Sequence, residues 1–341
     1  MSRAGAPRAR SRACRRKRSM IRRLFLALCA TAALAAPAAA QDRVTFRLNW
    51  LIYGFHTPFY LGVERGYYRE AGIDLTIGEG QGSARAVQLV ASGGDMFGLS
   101  DGASIINGVA RGAPVQAVMG IMNKSPFAVI VRADSGIRTM RDLAGRTIAA
   151  TTGEAGLVMF PAMLRANNMP ADAVRFLRVD GAGKLVATLE NRTVGMLGGV
   201  ENQALILPQR GLPVHSILYA DNGANTMGLA IHATRETIQR NPDLVRRFVR
   251  ATQRSFEAGM SEPEAAIAAG LKVKPDMDRE LALAQLRAGL QLVRSAHGAD
   301  RPIGWMAPQD WAETLNLMRE FQDLRTELPA DAFYSNAFLP Q

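Results

Sequence analysis

Cysteine is almost absent: the 341 residues contain two, Cys14 and Cys29. Beyond residue 29 there is therefore no thiol for a disulfide, a nucleophile or a thiolate metal site. Histidine is scarce too. His56, His215, His232 and His297 make up the four in the chain, and they are too scattered to form a metal-ligand spacing with the acids. No apolar run reaches the ~20 residues that a bilayer-crossing helix needs. A Walker pattern is missing, and the glycines at 78, 80 and 82 do not form a dinucleotide fingerprint, because Arg85 stands where its last glycine would fall. No short-period repeat or low-complexity segment follows residue 40.

Acids are also missing from the first forty residues, and that absence explains the charge. The chain carries a formal +11, which by itself would suggest nucleic acid or a membrane surface as partner. Ten of the basic side chains lie within residues 1–23. They are followed by an apolar run from Leu24 to Ala36 and then by Pro37-Ala38-Ala39-Ala40. That order is the one a secretory signal peptide requires, with cleavage expected after Ala40. Met20 followed by Ile21-Arg22-Arg23 is already a complete start, so residues 1–19 are read as an upstream extension. Acylation of Cys29 as a lipoprotein is disfavoured because Leu28 stands where a small residue is needed. Without the ten leader charges the rest of the chain is at +1. It has no basic stripe with interleaved aromatics, so nucleic acid is not an expected partner.

From residue 41 the sequence alternates strand-like and helix-like segments. Val44–Leu48 and Ile73–Ile77 alternate at period two, and Phe59–Glu70 between them reads as a helix. Gly78–Gly82 is a glycine-rich turn, and Ser83 is placed to cap a helix carrying Val87 and Val90. Further strands are expected at 96–99, 115–119 and 127–131, with a helix at 102–111. A second run repeats the pattern, with strands at 147–150, 174–179, 194–197 and 214–218 and helices at 154–167 and 183–191. After Thr234 the chain reads as helix. Asn241-Pro242 gives a start signal, and helical segments follow at 263–271, 278–296 and 308–324. The fold class is α/β, with mostly parallel sheets covered on both faces. Ligands of such sheets sit beyond the carboxyl ends of the strands. The loops to watch are therefore 49–58, 78–83, 100–104, 151–156 and 198–203.

Those loops carry a family resemblance. Leu48-Asn49-Trp50 through His56-Thr57-Pro58, then Tyr60-Leu61 and Gly66-Tyr67-Tyr68 through Asp74, resemble the opening of the NMT1/THI5-like family. Gly93-Gly94-Asp95, Phe97 through Asp101, Asn241 through Thr252 and Tyr334 through Pro340 continue the likeness in order. The family includes periplasmic binding proteins for thiamine-precursor pyrimidines, with relatives for sulfonates, nitrate and other small solutes. The resemblance implies a type II periplasmic-binding-protein fold, with a ligand cleft between two lobes and crossovers near Val131 and Ile231. One lobe would comprise 41–131 plus 232–341 and the other 132–231, with 1–40 as the signal. It also implies an ABC permease and ATPase as partners, a periplasmic location, a monomer, and no cofactor or metal.

Candidate ligand residues follow from the loops and the resemblance together. Trp50, Tyr53 and His56 would stack on a flat ligand and add a directional contact; the alternative is a core tryptophan and a structural histidine. Ser83, Thr152 and Gly153 open helices whose free N–H groups can receive acceptors, or they are ordinary caps. Ser100, Asp101, Glu154, Glu201 and Asn202 make the cleft acidic and polar. Without a matching lysine or arginine, those acids favour a ligand that offers N–H donors, such as an aminopyrimidine, over a sulfonate, nitrate or aromatic carboxylate. A pyrimidine-synthase activity, known in one branch of the family, is disfavoured. Ser100 and Ser104 stand where that branch has lysine and histidine, and the cysteines it needs are missing. A sensor subunit for a membrane receptor remains the other alternative.

Overall fold

The computed structural model describes residues 41–340 together with Met1 and Ser2. The signal-peptide reading lies outside the described residues. Among them, no helix is long and apolar enough to cross a membrane.

Among the described residues, ten strands form two five-stranded sheets. The first contains β1 (Asp42–Arg47), β2 (Ile73–Gly78), β3 (Phe97–Asp101), β4 (Val115–Met122) and β10 (Leu229–Thr234), in the order β2-β1-β3-β10-β4. The second contains β5 (Phe127–Arg132), β6 (Thr147–Ala150), β7 (Arg175–Arg178), β8 (Gly195–Gly199) and β9 (Val214–Leu218), in the order β7-β6-β8-β5-β9. The two orders are the same pattern. In each sheet the strand in the fourth position is antiparallel to its neighbours, and that strand follows a strand of the other sheet. The chain thus crosses between Met122 and Phe127 and returns between Leu218 and Leu229. Val131 and Ile231 lie inside β5 and β10. This is a two-lobed α/β architecture of mixed sheets, in each of which four strands run parallel and one antiparallel. The strand–helix alternation was expected from the sequence pattern and the two lobes from the family resemblance.

The helices are α1 (Thr57–Glu64), α2 (Tyr67–Glu70), α3 (Ser83–Ala91), α4 (Gly102–Ala110), α5 (Ala155–Ala166), α6 (Gly181–Leu189) and α7 (Gln203–Gln209). After β10 come α8 (Arg235–Arg240), α9 (Pro242–Ser261), α10 (Pro263–Val273), α11 (Arg279–Leu290) and α12 (Pro308–Gln322). Several boundaries differ from expectation; the helix read over 278–296, for one, stops at Leu290. The helix read over 59–70 breaks at Gly66, which takes φ +75°, a conformation that ends α1 without steric cost. Ser83 is the first helical residue rather than the cap; Gly82 precedes it, and the Ser83 hydroxyl instead accepts the Asp101 N–H at 3.2 Å. Asn241 makes no side-chain cap; it also ends α8, its N–H bonding Thr237 O.

The first lobe's core is aromatic. Phe248 of α9 stacks on Phe97 at 4.1 Å with planes 9° apart, and it meets Phe46 edge-on at 5.7 Å. All three side chains are fully buried. Phe248→Ala removes the shared partner of two strands and is expected to cost about 3–5 kcal/mol, measured as a lower urea midpoint at unchanged slope.

Candidate functional site

The cleft-lining loops follow the carboxyl ends of parallel strands, where α/β sheets present ligand sites. Asn49, Trp50 and Tyr53 follow β1, Gly82 and Ser83 follow β2, Glu154 follows β6, and Glu201, Asn202 and Gln203 follow β8. Phe127, Ala155, Gly156, Gly198 and Gly199 complete the wall of an inner cavity. Its free volume is about 50 Å³, room for a few water molecules, so a ring-sized ligand enters only if the lobes part. Beyond Trp50 a wider chamber of about 710 Å³ opens, with Arg85, Thr152, Gly153, Arg178 and Asp180 in its wall.

The lobes meet through the site itself. Tyr53 Oη donates to Glu201 Oε1 at 3.0 Å. Gln285 Nε2 donates to Asn202 Oδ1 at 2.8 Å, while Gln285 Oε1 accepts the Gly54 N–H at 3.0 Å. The Ala84 N–H reaches Gly153 O at 3.2 Å. This last approach requires glycine at 82, where φ is +117° and a Cβ would stand 2.7 Å from Gly153 O.

The two acids of the cavity differ. Glu154 is paired: the fully buried Lys184 donates to its Oε2, and Lys184 also donates to Leu197 O at 2.9 Å. The same ammonium lies 4.7 Å from the Trp50 ring centroid, which adds a cation–π contact. Burial pushes the Glu154 carboxyl up, and the Lys184 charge opposes that push. Among the described residues, Glu201 has no cationic partner. Burial pushes its carboxyl up to about 7, against the Tyr53 hydrogen bond, and its Oε2 has no partner. The carboxylate folds over Gly199, where a Cβ would lie 2.3 Å from Oε2. An unpartnered carboxylate oxygen at the wall of a cavity is a ready acceptor for a ligand N–H.

Of the residues singled out from sequence, Trp50, Tyr53, Ser83, Glu154, Glu201 and Asn202 line the inner cavity, and Thr152 and Gly153 line the outer chamber. His56, Ser100 and Asp101 line neither. Asp101 caps α4 by accepting the Ser104 N–H at 3.0 Å. Ser100 donates to Ser83 O at 3.0 Å and pairs with His232 Nε2 at 2.9 Å. Buried His56, its pKa lowered to about 3 by desolvation, pairs with the Asn49 side chain at 3.0 Å and so acts through a cavity residue. Sequence reading missed Lys184, Gln285, Arg178 and Asn49. Lys184 had a signal: it is the sole lysine between 125 and 271, within the small and apolar run Gly181–Leu189. Gln285 shares the buried stripe of α11 with Ala282, Leu286 and Gly289, and a polar residue on such a stripe marks a buried hydrogen bond.

Comparison with known proteins places this geometry. The model of the family described as NMT1/THI5 like matches residues 54–266. The chain belongs to the NMT1/THI5-like family. Within it, this member is 26% identical over 323 residues to the riboflavin-binding protein RibY of Chloroflexus aurantiacus, covering 91% of each chain. It is 22% identical over 311 residues to a 4-amino-5-hydroxymethyl-2-methylpyrimidine phosphate synthase of Legionella pneumophila, covering 89% of this chain and 95% of that one. In fold, the NMT1/THI5-like chain resembles the alkanesulfonate-binding protein SsuA of Xanthomonas axonopodis pv. citri bound to MOPS. The TM-score is 0.68 at 14% identity, over 88% and 99% of the two chains. The periplasmic aliphatic sulphonate binding protein SsuA of Escherichia coli gives 0.64 at 16%, over 87% and 92%. The fold is therefore that of the periplasmic binding proteins.

Two outcomes follow from the acids. Lys184→Met leaves Glu154 buried without its cation and is expected to cost about 3–5 kcal/mol; adding Glu154→Gln should recover most of that, read by urea denaturation of the single and double variants. Glu201 titrates from an ordinary value of 4.5 in the unfolded chain to about 7 in the folded one. A raised folded pKa favours the protein below the unfolded value, and that contribution is lost as the pH rises through the folded one. Wild type should therefore lose unfolding free energy relative to Glu201→Gln between pH 4.5 and about 7. Parallel stability profiles for the two proteins would contradict this.

Proposed function

We propose that the protein is a solute-binding subunit that captures a flat ring bearing N–H donors, of the aminopyrimidine class, and delivers it to an ABC permease and ATPase in the periplasm. The lobes close on the ligand as rigid units through the two crossover segments. The observation that carries the reading is Glu201. It is buried, has no cationic partner, leaves Oε2 unpaired, and sits at the wall of the same cavity as the Trp50 and Tyr53 rings. A ring slid between the lobes would stack on the aromatics and donate to that oxygen. The named ligand of the flavin-binding relative and the named product of the synthases are both flat nitrogen heterocycles, which supports this class.

A sulfonate or carboxylate ligand is the second reading, favoured by the names of the fold neighbours. Against it, no lysine or arginine lines the inner cavity among the described residues, and Lys184 behind it is already matched by Glu154. A synthase activity fits less well. The Ser100 position offers no amine for a Schiff base, and its hydroxyl is engaged by Ser83 and His232 away from the cavity.

A thermal-shift panel tests the proposal. Aminopyrimidines or flavins should raise the melting temperature in proportion to the logarithm of ligand excess, and Glu201→Ala should blunt the shift. A panel in which only alkanesulfonates, nitrate or aromatic carboxylates shift the protein would overturn the donor-ring reading.

A further inference from the structure

A second polar cavity lies where the two crossovers meet the C-terminal segment. It has about 330 Å³ of free space, and its polar wall includes Asn123, the exposed Lys124 and Ser125 of the first crossover, Thr226 of the second, and Ser295, His297, Asp310 and Glu313. It shares no wall residue with the cleft.

Two independent observations mark it. The first is a set of ligands. A ring nitrogen of His297 and one oxygen each of Asp310 and Glu313 lie within 4.8 Å of one another. Asp310 is held at the start of α12, and its Oδ1 meets His297 Nδ1 at 2.7 Å. The second is a surplus of unmatched polar atoms. Ser125 Oγ, Thr226 Oγ1, Ser295 Oγ and Asp310 Oδ2 are all buried without a hydrogen-bond partner, on side chains 4–9% exposed. Buried polar atoms are nearly always satisfied. With Asn123 Oδ1 there are five orphans on one cavity wall, three of them hydroxyls contributed by three separate chain segments, and they call for a polar occupant.

We propose that this cavity binds a divalent transition-metal ion, Zn²⁺ by its chemistry, through His297, Asp310 and Glu313. An imidazole with two carboxylates is a borderline set that suits Zn²⁺; Mg²⁺ and Ca²⁺ prefer oxygens alone. Two carboxylates with a neutral imidazole balance the charge of the ion. Asp310 Oδ1 meets the ring at Nδ1, and Glu313 Oε1 lies 3.9 Å from Nε2. Tetrahedral bonds near 2.0–2.1 Å put ligand atoms about 3.3 Å apart, so one ring nitrogen takes the ion and the carboxylate beside the other swings toward it. Asp310 Oδ2 gains the partner it lacks. The sequence offered no hint, since the ligands are 13 and 3 residues apart and only α12 and the loop before it bring them together. This inference is independent of the ligand proposed for the cleft.

Isothermal titration of the purified, chelator-treated protein with Zn²⁺, and separately with Ca²⁺, tests the site. One Zn²⁺ per chain should bind and raise the melting temperature. His297→Gln and Glu313→Gln should each weaken binding by about tenfold or more. Both residues are more than a third exposed, so these variants should fold like wild type by circular dichroism. Co²⁺ should give the visible absorption of a tetrahedral site, lost in both variants. No stoichiometric binding, binding insensitive to both substitutions, or preference for Ca²⁺ over Zn²⁺ would each overturn the proposal.

Discussion

The structure turns on a carboxylate with nothing to neutralise it. Glu201 comes from the loop after β8, is buried, and accepts its side-chain hydrogen bond from Tyr53 across the cleft. Burial without a cation holds its pKa near 7. The closed arrangement thus keeps one electrostatic demand unmet, and a ligand able to donate to Oε2 gains more than an ordinary hydrogen bond would give. The neighbouring glycine at 199 exists in the same account, since any side chain there would displace the carboxylate.

Glu154 shows the contrasting solution. Lys184 matches its charge, Leu197 O takes a second ammonium proton, and the Trp50 ring covers the ion pair. Such a pair contributes little net stability but is costly to break. Its consequence is positional: it fixes the start of α5 against α6, and with it the wall on which Trp50 rests. One acid therefore shapes the cavity, and the other remains available to a ligand. That division narrows the expectation drawn from three acids in the loops. Asp101 is a helix cap and Glu154 is neutralised, so the proposal of a donor-bearing ligand rests on Glu201.

The alternation of strands and helices was legible in the sequence because its signals are local: period-two strands, glycine turns, and proline at helix starts. The family motifs added the two-lobed topology, which no local pattern carries. The strand-end loops located the cleft, and Trp50, Tyr53, Ser83 and Glu201 could be named from them. What stayed hidden depends on side chains from distant segments. Lys184 reaches Glu154 across 30 residues and Gln285 reaches Asn202 across 83. His56 and Ser100 look like cleft residues by position, yet their side chains turn to Asn49 and to His232. Direction along a strand end is set by packing on both sides of the sheet, and a one-dimensional pattern does not contain it.

The central claim is that Glu201 is the unmatched acceptor of the cleft. A ¹³C-detected NMR titration of the glutamate carboxyl groups, assigned with Glu201→Gln, measures it directly. Glu201 should titrate at about 7 in the free protein and at a lower pH when a donor-bearing ring binds. A Glu201 pKa at the ordinary 4.5, unmoved by any such ligand, would contradict it.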